Sequence, residues 1–183
     1  MDLAATSVAD TRRWLERAVI GLNLCPFAKA VLVRQQVHFA VSEAGDGAGV
    51  LQDFGRELED LLARDVQERD TTLLVIPRGF GDFLDFHDLI ARAERMVRKQ
   101  GLEGVVQVAS FHPRFVFAGE GEDDITNHTN RAPYPTLHLL REASMDRAVA
   151  AFPDAAAIYE HNMETLRRLG PAGWDALGVG ASA

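Results

Sequence analysis

Two short, largely apolar runs, TTLLVIP at 71–77 and GVVQVASF at 104–111, constrain this chain more than any other feature. A run of that length without a polar face suits a strand covered on both sides. Between them, 83–100 reads as a helix that stops at Gly101, a residue suited to a helix end. Before the first run, Val50, Phe54, Leu58, Leu61 and Leu62 recur at helical spacing within 49–65. Further upstream, 31–42 reads as a strand in which Val37, Phe39 and Val41 alternate. The order is therefore strand, helix, strand, helix, strand. Crossovers of this length favour parallel pairing in right-handed units. The expected fold is α/β, a three-layer, mostly parallel sheet flanked by helices. An α+β sandwich of the ferredoxin-like kind is the alternative.

The two ends of the chain read as helical. Trp14, Leu15, Ala18, Val19 and Leu22 share one face of a helix over 7–22, with Ser7 and Asp10 at its start. RFVFAG at 114–119 reads as a further short strand. Ser144 opens a helix through Ala151, Pro153 breaks it, and Asp154 begins another that runs to Leu169 and stops at Gly170. The tail is expected to fray from about 171. With 183 residues, 47% of them hydrophobic, the chain suffices for one core, and a single domain over 1–183 is expected.

Charge and cysteine content narrow the function classes. Lys and Arg total 19 against 27 Asp and Glu, a net charge of -8, which makes the DNA backbone a poor partner. No apolar run reaches the roughly 20 residues of a membrane span, and the N-terminus has no secretory pattern. Cys25 is the single cysteine, so neither an internal disulfide nor a Cys-rich zinc site is available. A soluble, cytoplasmic protein that binds neither DNA nor membrane is expected. A homo-oligomer is left open.

Unusual polar residues gather where the strands of a parallel sheet would end, the usual place for a ligand. His112 follows the third strand and titrates near neutrality, so it is a candidate general base; a capping role before Pro113 is the alternative. TNHTNRAPYPTLHLLRE, 126–142, concentrates hydrogen-bonding groups. Asn127, Asn130, Tyr134, His138 and Arg141 are candidate ligand-binding residues there. Arg131, ahead of a rigid Pro133-Tyr134-Pro135 and a helix expected to begin near Pro135, is the candidate for gripping a carboxylate or phosphate. On that helix His138 and Glu142 would face the same way, as a metal pair with His112 as third ligand, but spacing alone assigns no metal. Cys25, placed at an N-cap by Pro26, is a candidate nucleophile or redox thiol, with burial in the core as the alternative.

GLNLCPFAKAV, VASFHPRFVFAG, DDITNHTNRAPYPTLHLLRE and AFPDAAAIYEHNMETLRRLG, in that order along nearly the whole chain, resemble the 1415 family of domains of unknown function, found in bacteria and some photosynthetic eukaryotes. The resemblance implies that Cys25-Pro26-Phe27, Ser110 to Pro113 and Thr129 to Pro135 belong to the family's pattern. It names no reaction, and the cofactor is left open. Two functions stand. One is a small enzyme acting on an anionic metabolite, with Cys25 and His112 catalytic. The other is a non-enzymatic ligand-binding or protein-interaction module, with Cys25 in the core and Ile158, Tyr159, Met163 and Leu166 as a partner-facing stripe.

Overall fold

The computed structural model describes residues 2–151 and 155–182, the side chains of 155 and 156 excepted. Helix α1, Leu3–Trp14, starts earlier than Ser7 because the Asp2 carboxylate accepts the Ala4 N–H at 3.0 Å. It runs directly into a π-helical turn, Leu15–Ile20. A short helix α2, Ala28–Val33, occupies the start of the segment expected to be strand, and β1 is confined to Val37–Val41. Asp46 caps α3, Gly47–Ala63, by accepting from two N–H groups, and Asp82 does the same for α4, Phe83–Lys99. Strand β2, Thr71–Val75, lies between these two helices in the chain and is buried throughout. Strand β3, Val106–Phe111, follows α4.

The sheet is mixed, with strand order β1-β2-β4-β3, where β4 is Thr136–Arg141. Only β1 and β2 pair in parallel; β4 runs antiparallel to both of its neighbours. The mostly parallel sheet is therefore corrected. Strands β1, β2 and β3 do share a direction, as the crossover helices require, but β4 is inserted between β2 and β3. Its Leu137 and Leu139 are fully buried on the face carrying α3 and α4. The expected helix near Pro135 is this strand, so His138 and Glu142 do not share a helix face. Nor is there a strand at 114–119, which is turn and irregular backbone.

The sheet's opposite face packs against Trp14, Leu15, Ala18 and Val19. After β4 come α5, Glu142–Ala151, and α6, Ala155–Ala176. Pro153 and Asp154, the expected break and restart, lie outside the described residues. Gly170 adopts φ 66° inside α6 and kinks it, and the chain resumes its helix to Ala176 rather than stopping. Past it, Val179 is buried and Arg13 and Arg17 donate to the Gly178 and Leu177 carbonyls at 2.8 and 2.9 Å, holding the tail expected to fray. Among the described residues no helix is long and apolar enough to cross a membrane.

Candidate functional site

A cavity of about 270 Å³ lies between the sheet and the N-terminal helices. Its floor is the sheet face made by Thr71 and Leu73 of β2, His138 and Leu140 of β4, and Ala109 and Phe111 of β3. These residues share a face because side chains alternate along each strand and the register sets His138 opposite both Leu73 and Ala109. Trp14, Leu15 and Val19, brought onto one side by the π turn, form part of the opposite wall, and Cys25 and Ala28 continue it. The Trp14 and Phe111 rings meet edge to face at 5.0 Å, and Phe111 lies 5.9 Å from the His138 ring.

Few polar groups interrupt this surface. His138 Nε2 lies 2.6 Å from Thr71 Oγ1, and that hydroxyl donates to the Leu139 carbonyl at 2.7 Å. Burial pushes the His138 imidazole down to about 4, so it is neutral at physiological pH. Cys25 sits two residues before Phe27, the N-cap of α2, so the expected cap position is not its own. The residue lines the cavity instead. Arg141 also lines the cavity, yet its guanidinium donates to the Leu61, Arg64 and Arg69 carbonyls at 2.5, 2.8 and 3.2 Å, closing the C-terminal end of α3.

The remaining candidate residues lie elsewhere, and the side chains of His112, Asn127 and Arg131 are engaged with backbone. His112 is fully buried at the end of β3 and packs against Phe86 and Phe83. Its Nδ1 accepts the Arg114 N–H at 3.0 Å, which leaves Nε2 to donate to the Phe80 carbonyl at 2.8 Å. Burial lowers its pKa. Asn127, also fully buried, donates to the Gly121 carbonyl at 2.8 Å and accepts the Phe117 N–H at 2.9 Å. Arg131 donates to the Phe115 and Glu122 carbonyls at 2.9 and 2.7 Å, and the carbonyl of Asn130 accepts the His112 N–H at 3.1 Å. Together they tie down 112–131, a long stretch with no sheet ladder to satisfy its backbone. Arg131 does not flank a helix N-terminus, because β4 follows the Pro-Tyr-Pro segment.

Two functional-looking groups escape a reading of the sequence. Asp10, 1% exposed, accepts from Arg13 at 2.5 Å, from the Tyr134 hydroxyl at 2.8 Å, and from both the N–H and hydroxyl of Ser182 at 2.7 Å. Burial alone would raise its pKa, but these donors outweigh it and hold the carboxyl below its ordinary value. Every bond that Asp10 accepts is structural, joining α1, the segment before β4 and the tail. The second group is a polar concavity of about 300 Å³ lined by His38, Asp60, Arg64, Glu68 and Arg69. There Arg69 pairs with Glu57 and donates to Thr72 Oγ1 at 2.9 Å, so its charge is already met. Among the described residues no three His, Cys, Asp or Glu side chains gather closely enough to hold a metal ion.

The apolar cavity is thus where Cys25, His138 and Arg141 come together, apart from His112, Asn127, Arg131 and Tyr134. A family model described as Protein of unknown function (DUF1415) matches residues 6–176. No curated protein and no solved structure matches the chain.

Proposed function

The chain belongs to DUF1415, a family whose description assigns no activity, and from the geometry we propose that it is a binding protein for a small, mostly apolar organic molecule held in the cavity beneath the π turn. The observation that carries this reading is a cavity of about 270 Å³ walled by Trp14, Leu15, Val19, Leu73 and Phe111. An apolar cavity of about 150 Å³ is enough to take up benzene. This one has room for a bicyclic ring system. An anionic ligand held by Arg131 and Arg141 has less support, since both guanidinium groups donate to backbone carbonyls.

A catalytic reading of the same cavity rests on one observation, that Cys25 and His138 both line it. A neutral imidazole can take a thiol proton, and turnover would require both groups to reach a ligand with an electrophilic centre. Binding comes first in either case.

Thermal unfolding with 2-naphthol as probe tests the proposal. At about 100 times its dissociation constant the probe should add roughly 2.7 kcal/mol and raise the midpoint by roughly 5–10 °C. Ala109→Leu, which places extra methyl groups into the cavity from β3, should abolish the shift while keeping the fold. No shift with either 2-naphthol or naphthalene, or an undiminished shift in Ala109→Leu, would overturn the proposal.

A further inference from the structure

We propose that the cavity selects an apolar molecule bearing a hydroxyl, a phenol or an alcohol, and discriminates against ethers and carboxylates of the same shape; this rests on the cavity being the binding site. The selection follows from the hydrogen bonding of one strand pair. The Thr71 hydroxyl has a single proton, and it goes to the Leu139 carbonyl at 2.7 Å. Its oxygen, 2.6 Å from His138 Nε2, must therefore accept from that nitrogen. The neutral ring then carries its proton on Nε2 and presents a lone pair on Nδ1. Nδ1 has no hydrogen-bond partner among the described residues, and its ring is part of the cavity floor. A ligand that fills the cavity without offering a donor leaves that lone pair desolvated and unpaired, which costs binding energy.

The wall therefore presents an acceptor that lacks a donor. A hydroxyl is the smallest uncharged function that supplies one. An ether offers none. A carboxylate brings acceptors and a charge that is costly to bury, and the Arg141 guanidinium on the cavity wall already donates to backbone carbonyls.

The test compares 2-naphthol, 2-methoxynaphthalene and 2-naphthoate by calorimetric titration of the full chain. Wild type should bind 2-naphthol at least about tenfold more tightly than the methoxy compound, the size expected of one hydrogen bond, and the carboxylate least. Thr71→Val removes the acceptor that holds the Nε2 proton in place. It should narrow the preference to within about threefold, and Thr71→Ser should restore it. Nitrogen-15 spectra of wild type should show His138 protonated on Nε2 and unprotonated on Nδ1, a readout that stands even if Thr71→Val fails to fold. Equal binding of 2-naphthol and 2-methoxynaphthalene to wild type, or a His138 proton on Nδ1, would overturn this inference and leave the cavity as a binding site. Binding of none of the three would overturn the cavity reading itself.

Discussion

At the scale of single residues, the candidate polar groups serve different ends: His112, Asn127 and Arg131 serve backbone, and Cys25 and His138 line the cavity. His112, Asn127 and Arg131 attract notice in the sequence because of their chemistry, but a long irregular segment needs the same donors and acceptors that a binding loop does. No pattern in one chain separates these uses; the partner does, and the partners of these three are carbonyls and N–H groups between Phe80 and Glu122. Cys25 and His138 were also legible as polar or reactive residues, although the helix-based reasons for singling them out do not hold. Thr71 was not legible, because at the head of TTLLVIP it reads as the edge of an apolar strand. His138 carries a pH prediction. Its pKa is pushed down to about 4 by burial, and the unfolded chain holds the ordinary value of 6.5. The unfolded state therefore takes up the proton first as the solution is acidified. Stability is unaffected by this group above pH 6.5 and falls as pH drops from 6.5 towards 4, by up to roughly 3 kcal/mol. His128, pushed down to about 4 by burial, acts in the same direction. Urea denaturation from pH 7.5 to 4 should show this slope in wild type and a shallower one in His138→Gln. An identical slope in both would contradict the burial of a neutral His138.

Elements with strong periodicity were legible, and those whose pattern is shared by two conformations were not. The helices at 47–63 and 83–99 fall within two residues of expectation because each has an Asp cap and a wide apolar stripe. Strand β4 was missed because TLHLLR has no strict alternation and follows two prolines that suit a helix start. Its central position comes from β2 and β3, which it satisfies on both edges, and that long-range pairing overrides local preference. The π turn left no sequence signal beyond Gly21, which reads as a weak point in a helix. Here it is a requirement. The Gly21 N–H bonds to the Glu16 carbonyl five residues back, and a Cβ would lie 2.2 Å from the Arg17 carbonyl oxygen. In an ordinary helix Gly→Ala adds about 0.5–1 kcal/mol of stability. Gly21→Ala should instead cost about 1–3 kcal/mol, the usual range for forced overpacking, and should weaken 2-naphthol binding because Leu15 and Val19 take their places from this turn. A raised urea midpoint would mean that the π turn is not needed.

For the whole molecule, the sheet separates two apolar clusters, and they differ in how completely they are filled. The side carrying α3 and α4 packs Phe54, Leu58, Phe86, Leu137 and Leu139 to zero exposure. On the other side, the short strand-side chains Thr71 and Ala109 and the short helix α2 leave the cavity open beneath Trp14. A volume of this kind is invisible in a sequence, since it depends on which side chains fail to meet. Cys25, the chain's one cysteine, reports on it directly, because alkylation adds a fixed mass at a single place. The decisive measurement is the rate of Cys25 alkylation by iodoacetamide at pH 7.5, followed by intact mass, with and without saturating 2-naphthol. Occupancy of the cavity should slow the reaction by about tenfold or more at ten or more times the dissociation constant, as the free fraction falls. In Ala109→Leu the probe should have no effect on the rate. A rate in wild type that is unchanged by 2-naphthol, under conditions where the probe raises the unfolding temperature, would place the ligand somewhere other than this cavity and contradict the account.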